Sequence, residues 1–266
     1  MKLYAQDALA LLAHLGWTEA HVLAFSFGAA VLQEMLLIPG QEFRALRVLF
    51  VCPAVDVDGT PIGSFPLGDL IDLDAEERDI RMLLLADTRR DDDWLESDEG
   101  ANAQYYLRTV RQGQEDLTGG LEGRNWQMRA RQSHATESRL REAVARRRER
   151  DDEEELPRAL YDEAAIFASL HDGITPPHAV LRLHAALDAP LLVWFPAGHW
   201  PNLARECPGH FGEASLAFLL GRDLPPAVVD ASRKAAGAIP ATPPPLRSFA
   251  GRSFGGMDCL SGCVVL

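Results

Sequence analysis

Apolar positions recur along the chain with two periods, and their alternation lays out a series of helices and strands. Ala8, Leu11, Leu12 and Leu15 fall at helical spacing, and Gly16 supplies a stop. The run His21-Val22-Leu23-Ala24-Phe25 has the length of a strand. Residues 28–38 are apolar again, with Gln33 and Glu34 on one side, and Pro39-Gly40 ends that helix. Leu46-Arg47-Val48-Leu49-Phe50-Val51 predicts a second buried strand. After a polar middle, residues 164–170 and 191–195 read as strands, and residues 177–187 and 211–220 as helices. Near-continuous apolar strands separated by helices imply parallel pairing with both faces covered, an α/β class with a mostly parallel sheet.

Composition narrows the picture. The chain has 266 residues, 47% hydrophobic and 24% charged, with a net charge of −13. That is ordinary for a folded domain, and too acidic for a phosphate-gripping surface, so no nucleic-acid partner is expected. No apolar run reaches the roughly 18 residues of a membrane span, and the start carries no signal-peptide pattern. Cys52, Cys207, Cys259 and Cys263 lack CxxC pairing or histidines at zinc spacing, which predicts no structural metal.

Charge is uneven. Residues 1–54 hold three basic and four acidic side chains, residues 55–160 hold 16 and 26, and residues 161–266 hold seven and nine. The shift predicts an acidic helical insertion (55–160) between two parts of one core, 1–54 and 161–223. Within it, Arg146–Arg150 followed by Asp151–Glu155 reads as a solvated helix face or loop. From residue 224 the chain turns rich in Pro, Ala, Gly and Ser, with Pro243-Pro244-Pro245, and reads as a disordered tail to residue 266.

Three short segments carry chemistry. Ala24-Phe25-Ser26-Phe27-Gly28 joins a predicted strand to a predicted helix, a turn that projects a serine Oγ beside a helix N-terminus. His171-Asp172-Gly173-Ile174-Thr175-Pro176-Pro177 puts a carboxylate after the third strand, and Pro196-Ala197-Gly198-His199-Trp200-Pro201 puts a histidine after the fourth. Serine acyl transfer needs a base for the hydroxyl proton and an acid to hold that base in one tautomer. The order Ser, Asp, His is the chain order of nucleophile-elbow hydrolases.

On these motifs the sequence resembles the α/β-hydrolases of the lipase and esterase type, over residues 4–51 and 164–221, with the middle region in the place of the family's variable cap. The resemblance implies Ser26 as nucleophile, Asp172 as acid, His199 as base and the Phe27 N–H as one oxyanion donor, with no cofactor and no metal. It implies hydrolysis of a small-molecule carboxylic ester through an acyl-enzyme, with thioester, lactone and C–C bond cleavage left open. A serine at the elbow disfavours epoxide hydrolase and haloalkane dehalogenase activity, which use aspartate there. Ala24 and Ser169 stand where the family often has glycine.

Family members place several strands before the helix that begins here near Tyr4, and those strands carry the second oxyanion donor. The resemblance therefore implies an N-terminally truncated core with the elbow strand at an apolar edge, and low activity for this chain alone. The alternative is an inactive hydrolase-like binding protein or a gene-model fragment. Trp94, Tyr105, Tyr106 and Trp126 are candidates for an acyl pocket. A cytoplasmic location is expected. Cys263-Val264-Val265-Leu266 fits the C-a-a-X prenylation pattern, so lipidation at Cys263 with peripheral membrane attachment is the alternative.

Overall fold

The computed structural model describes residues 1–40, 42–55, 70, 73–114, 123, 126, 127, 129–131, 133–150, 161–188, 191–199 and 202–240. Within them the elements run α1 (Lys2–His14), β1 (Glu19–Phe25), α2 (Phe27–Leu37), β2 (Arg44–Val51), α3 (Ala75–Ala86), α4 (Asp92–Glu96), α5 (Asp98–Gln114), α6 (Glu137–Arg150), β3 (Glu163–Ser169), α7 (Pro177–Ala186), β4 (Leu191–Phe195), α8 (Asn202–Glu206), α9 (Pro208–Leu219) and α10 (Pro226–Ala236). The four strands pair in parallel in the order β1-β2-β3-β4. Each strand expected from the apolar runs is present, shifted by no more than two residues at either end.

Side chains alternate across the sheet and feed two cores. Val48, Phe50, Ala164, Ile166, Ala168 and Trp194 pack with Ala29, Leu32, Met35, Val180 and Leu183 from α2 and α7. Leu49, Val51, Ala165, Phe167, Val193 and Phe195 pack on the opposite side with Ala214 and Phe218 of α9. Phe50 and Phe167 are fully buried, each stabilising the fold by roughly 1.5–3 kcal/mol through loss of water-exposed area. Burial on both faces explains why the strands read as continuous apolar runs instead of alternating ones.

Two expectations change. The tail does not begin at residue 224: Pro226–Ala236 is helical, with Val228 and Ala235 buried in the two cores. Proline belongs in a first helical turn, where its missing N–H is not needed, so Pro225-Pro226 opens a helix where composition alone read loose chain. The Ser232 hydroxyl of α10 accepts the Trp194 N–H at 2.9 Å, capping a backbone donor of the otherwise open outer edge of β4. The remainder of the predicted tail, Cys263 included, lies outside the described residues, as do residues 151–160.

The second change concerns Gln33 and Glu34, which are buried. Residues 131 and 133–139 fold over them. Gln33 Nε2 donates to Ala54 O at 3.0 Å and Gln33 Oε1 accepts from the Thr136 hydroxyl at 2.6 Å. Arg139 pairs with Glu34 at 2.9 Å, and Arg131 donates to His134 Nδ1 at 3.0 Å. Among the described residues, no helix is long and apolar enough to cross a membrane.

Candidate active site

Parallel pairing brings the carboxyl ends of all four strands to one rim, and backbone bonds continue past the strands into the loops there. The Ser26 N–H donates to Val51 O at 2.9 Å, Cys52 N–H to Phe167 O at 2.8 Å, Leu170 N–H to Phe195 O at 2.8 Å and His171 N–H to Ala197 O at 2.9 Å. Ser26 caps α2 with φ 45 and ψ −112, a left-handed conformation disfavoured for a side-chain-bearing residue and held by the strand and helix around it. Ala24 is buried. At Gly28 a Cβ would meet nothing within 4 Å.

Ser26, Asp172 and His199 come together although 173 positions separate the first from the last. The Ser26 Oγ–H donates to His199 Nε2 at 2.8 Å, and the His199 Nδ1–H donates to Asp172 Oδ2 at 2.6 Å. Asp172 and His199 are buried and Ser26 is half-buried. The second Asp172 oxygen accepts the Ile174 and Thr175 N–H groups at 2.8 and 2.7 Å, and the Thr175 hydroxyl donates to Oδ2 at 2.5 Å. This tight turn fixes the carboxylate, and the carboxylate in turn selects the tautomer that leaves Nε2 free to accept the serine proton. Burial pushes the His199 imidazole down, but the charge and hydrogen bond of Asp172, with a smaller contribution from Cys52, raise its pKa above the ordinary histidine value. The Phe27 N–H lies in the first turn of α2, where backbone donors have no intrahelical carbonyl and the helix dipole favours negative charge.

Cys52 is the site residue that reasoning along the chain missed. It follows β2 with φ 47, is fully buried, and sits 3.6 Å from the Ser169 hydroxyl. Its Sγ, an Asp172 oxygen and a His199 ring nitrogen lie within 4.8 Å of one another, donor types that bind zinc. Both Asp172 oxygens and both ring nitrogens are engaged in the hydrogen bonds above. Its only signal is its place immediately after β2, since no spacing rule links it to Asp172 and His199, which lie far along the chain.

Tyr105, Tyr106 and Trp126 are exposed, and Trp94 lies under the Arg90 guanidinium at 4.3 Å. The carboxyl end of α3 reaches the site. Ala86 O accepts the His199 N–H at 2.5 Å, Leu85 O accepts the Gly173 N–H at 3.0 Å, and the Thr88 N–H donates to His171 O at 2.8 Å.

No family model and no curated protein sequence matches the chain. Solved structures do. A hydrolase from Oleispira antarctica aligns at TM-score 0.58 and 15% identity, over 82% of this chain and 71% of that one. An enol-lactonase from Burkholderia xenovorans aligns at TM-score 0.56 and 16% identity, over 81% and 71%. A meta-cleavage product hydrolase from Pseudomonas fluorescens aligns at TM-score 0.55 and 17% identity, over 82% and 70%. At such identities the likeness is one of fold, and with the parallel sheet and the strand-to-helix turn at Ser26 it makes this chain an α/β-hydrolase-fold protein.

Proposed function

We propose that the chain is a serine hydrolase that cleaves carboxylic esters through an acyl-enzyme on Ser26. The observation that carries this reading is the continuous relay from Ser26 Oγ through the His199 ring to Asp172, at 2.8 and 2.6 Å. Both distances are those of a nucleophile activated by an oriented base.

In the first half-reaction Ser26 Oγ attacks the ester carbonyl while its proton passes to His199 Nε2. Asp172 stabilises the imidazolium and the Phe27 N–H faces the oxyanion. The tetrahedral adduct collapses, the C–O bond to the alcohol breaks, and His199 returns the proton to the departing oxygen. Water then repeats the sequence on the acyl-serine, releasing the acid and restoring the Ser26 hydroxyl. Lactones are cyclic esters and fall within the same chemistry, which accords with an enol-lactonase among the structural neighbours.

Purified chain incubated with short p-nitrophenyl esters tests the reading. Release of p-nitrophenol that Ser26→Ala and His199→Ala each reduce by about 10³-fold or more supports it. Turnover that survives Ser26→Ala contradicts it.

A further inference from the structure

An α-helix leaves its last four carbonyl groups without intrahelical donors. In α3 two of these, Leu85 O and Ala86 O, accept N–H groups from the loops that carry Asp172 and His199, and the Thr88 N–H donates back to His171 O. One short segment, residues 85–88, thus holds the acid loop and the base loop at the same time. The approach is close: a Cβ on Gly198 would stand 2.5 Å from Ala86 O and 2.9 Å from Asp87 Cβ.

The segment is itself held from outside the site. Asp87 is buried. Its Oδ1 accepts the Arg89 N–H at 3.0 Å and Arg89 Nε at 2.9 Å, and its Oδ2 accepts Arg89 Nη2 at 2.5 Å. Burial pushes the Asp87 carboxyl up, but the Arg89 hydrogen bonds and charge, with that of Arg90, outweigh it and keep the group ionised. Arg89 Nη2 also donates to Glu206 Oε2 at 2.6 Å. Glu206 ends α8, the helix that leaves the His199 loop, so Arg89 closes a ring running from α3 through the base loop and α8 back to Asp87.

We propose that Arg89 is a positioning residue, fixing residues 85–88 through Asp87 and Glu206 so that their backbone holds the Asp172 and His199 loops in register with Ser26. The proposal rests on the serine hydrolase reading. Arg89 is half-exposed, and its pair with Glu206 contributes little to stability, while its pair with the buried Asp87 keeps that carboxylate compensated. Its planar fork, engaging two carboxylates in fixed directions, is suited to geometry instead. Displacement of reacting groups by an ångström costs up to about 10²-fold in rate, so its loss is expected to show in the chemical step.

The test uses the full chain as wild type, Arg89→Met, Arg89→Lys and Glu206→Gln, with a fluorophosphonate as the serine-directed probe. Saturation of the inactivation rate separates kinact from KI, and proton NMR follows the far-downfield Nδ1–H signal of the His199–Asp172 bond. Arg89→Met is expected to lower kinact by about 10-fold or more with KI within about twofold and to shift or broaden the downfield proton, both measured well below the thermal midpoint, where the variant is fully folded. Glu206→Gln is expected to lower kinact less, and Arg89→Lys, which keeps the charge but not the fork, to recover part of the loss. Unchanged kinact with an unchanged downfield signal overturns the proposal, and so does a loss confined to KI or one that appears only at temperatures where the variant begins to unfold. If wild type itself is not labelled, the hydrolase reading fails separately, and the downfield proton in Arg89→Met still decides whether Arg89 positions the pair.

Discussion

Gly198→Ala adds one methyl group directly before the proposed base, and the structure says what that methyl meets. It would stand 2.5 Å from Ala86 O, 2.9 Å from Asp87 Cβ and 3.0 Å from Asp87 Cγ. The nearest of these is backbone at the end of a packed helix, which cannot rotate away. Relief to ordinary contact requires α3 or the His199 loop to retreat by roughly 0.7–1 Å, given that side chains packed in a core leave no spare volume. Either movement lengthens the bond from the His199 N–H to Ala86 O and carries the imidazole off its 2.8 Å contact with Ser26. Overpacking of this kind costs about 1–3 kcal/mol in stability, and the displaced base costs about 10²-fold in kcat. Urea denaturation of wild type and Gly198→Ala measures the first quantity, and steady-state hydrolysis of a p-nitrophenyl ester at a temperature where both are folded measures the second. A variant with wild-type kcat refutes the claim that α3 packs this tightly against the base loop.

The remaining predictions concern protonation. His199 must be neutral to accept the Ser26 proton, and Asp172 raises its pKa above 6.5, so kcat/KM is expected to climb with pH along a limb centred above that value; a limb centred below 6.5 contradicts the assignment. Asp172→Asn removes the charge and the tautomer control together and is expected to lower kcat by about 10⁴-fold. Burial, then the charges of Arg131 and Arg139, lower the pKa of His134 to about 3. The unfolded chain therefore binds a proton there below pH 6.5 that the folded chain refuses, and stability falls with acidification between those two values. Between pH 7 and pH 5 the loss from this residue is about 2 kcal/mol, and His134→Gln is expected to remove that slope in urea titrations, where an unchanged slope refutes it.

The candidate site was legible along the chain where its signals are local. Ser26 sits within five residues that make their own turn, and Asp172 and His199 each follow an apolar run whose end can be read directly. The parallel sheet was legible for the same reason, since strands buried on both faces carry little polar interruption. What could not be read is what the register brings together. Cys52 meets His199 only because β2 lies between β1 and β3. Gln33 and Glu34 look like the outer face of α2 until the segment carrying Thr136 and Arg139 supplies partners. In α10, Pro225-Pro226 reads as a breaker, while the spacing of Val228, Ser232 and Ala235 against β4 has meaning only once β4 has an edge to cover. The contacts of α3 with the Asp172 and His199 loops are backbone bonds, and no side-chain pattern encodes them.

The proposed activity stands on Ser26 as nucleophile and His199 as its base. Intact-mass spectrometry after treatment with a fluorophosphonate, followed by peptide mapping, tests it most directly. One adduct is predicted per chain, located on Ser26, absent from Ser26→Ala and slowed by at least about 10³-fold in His199→Ala. An adduct on any other residue, or labelling of Ser26 at the same rate without His199, would contradict it.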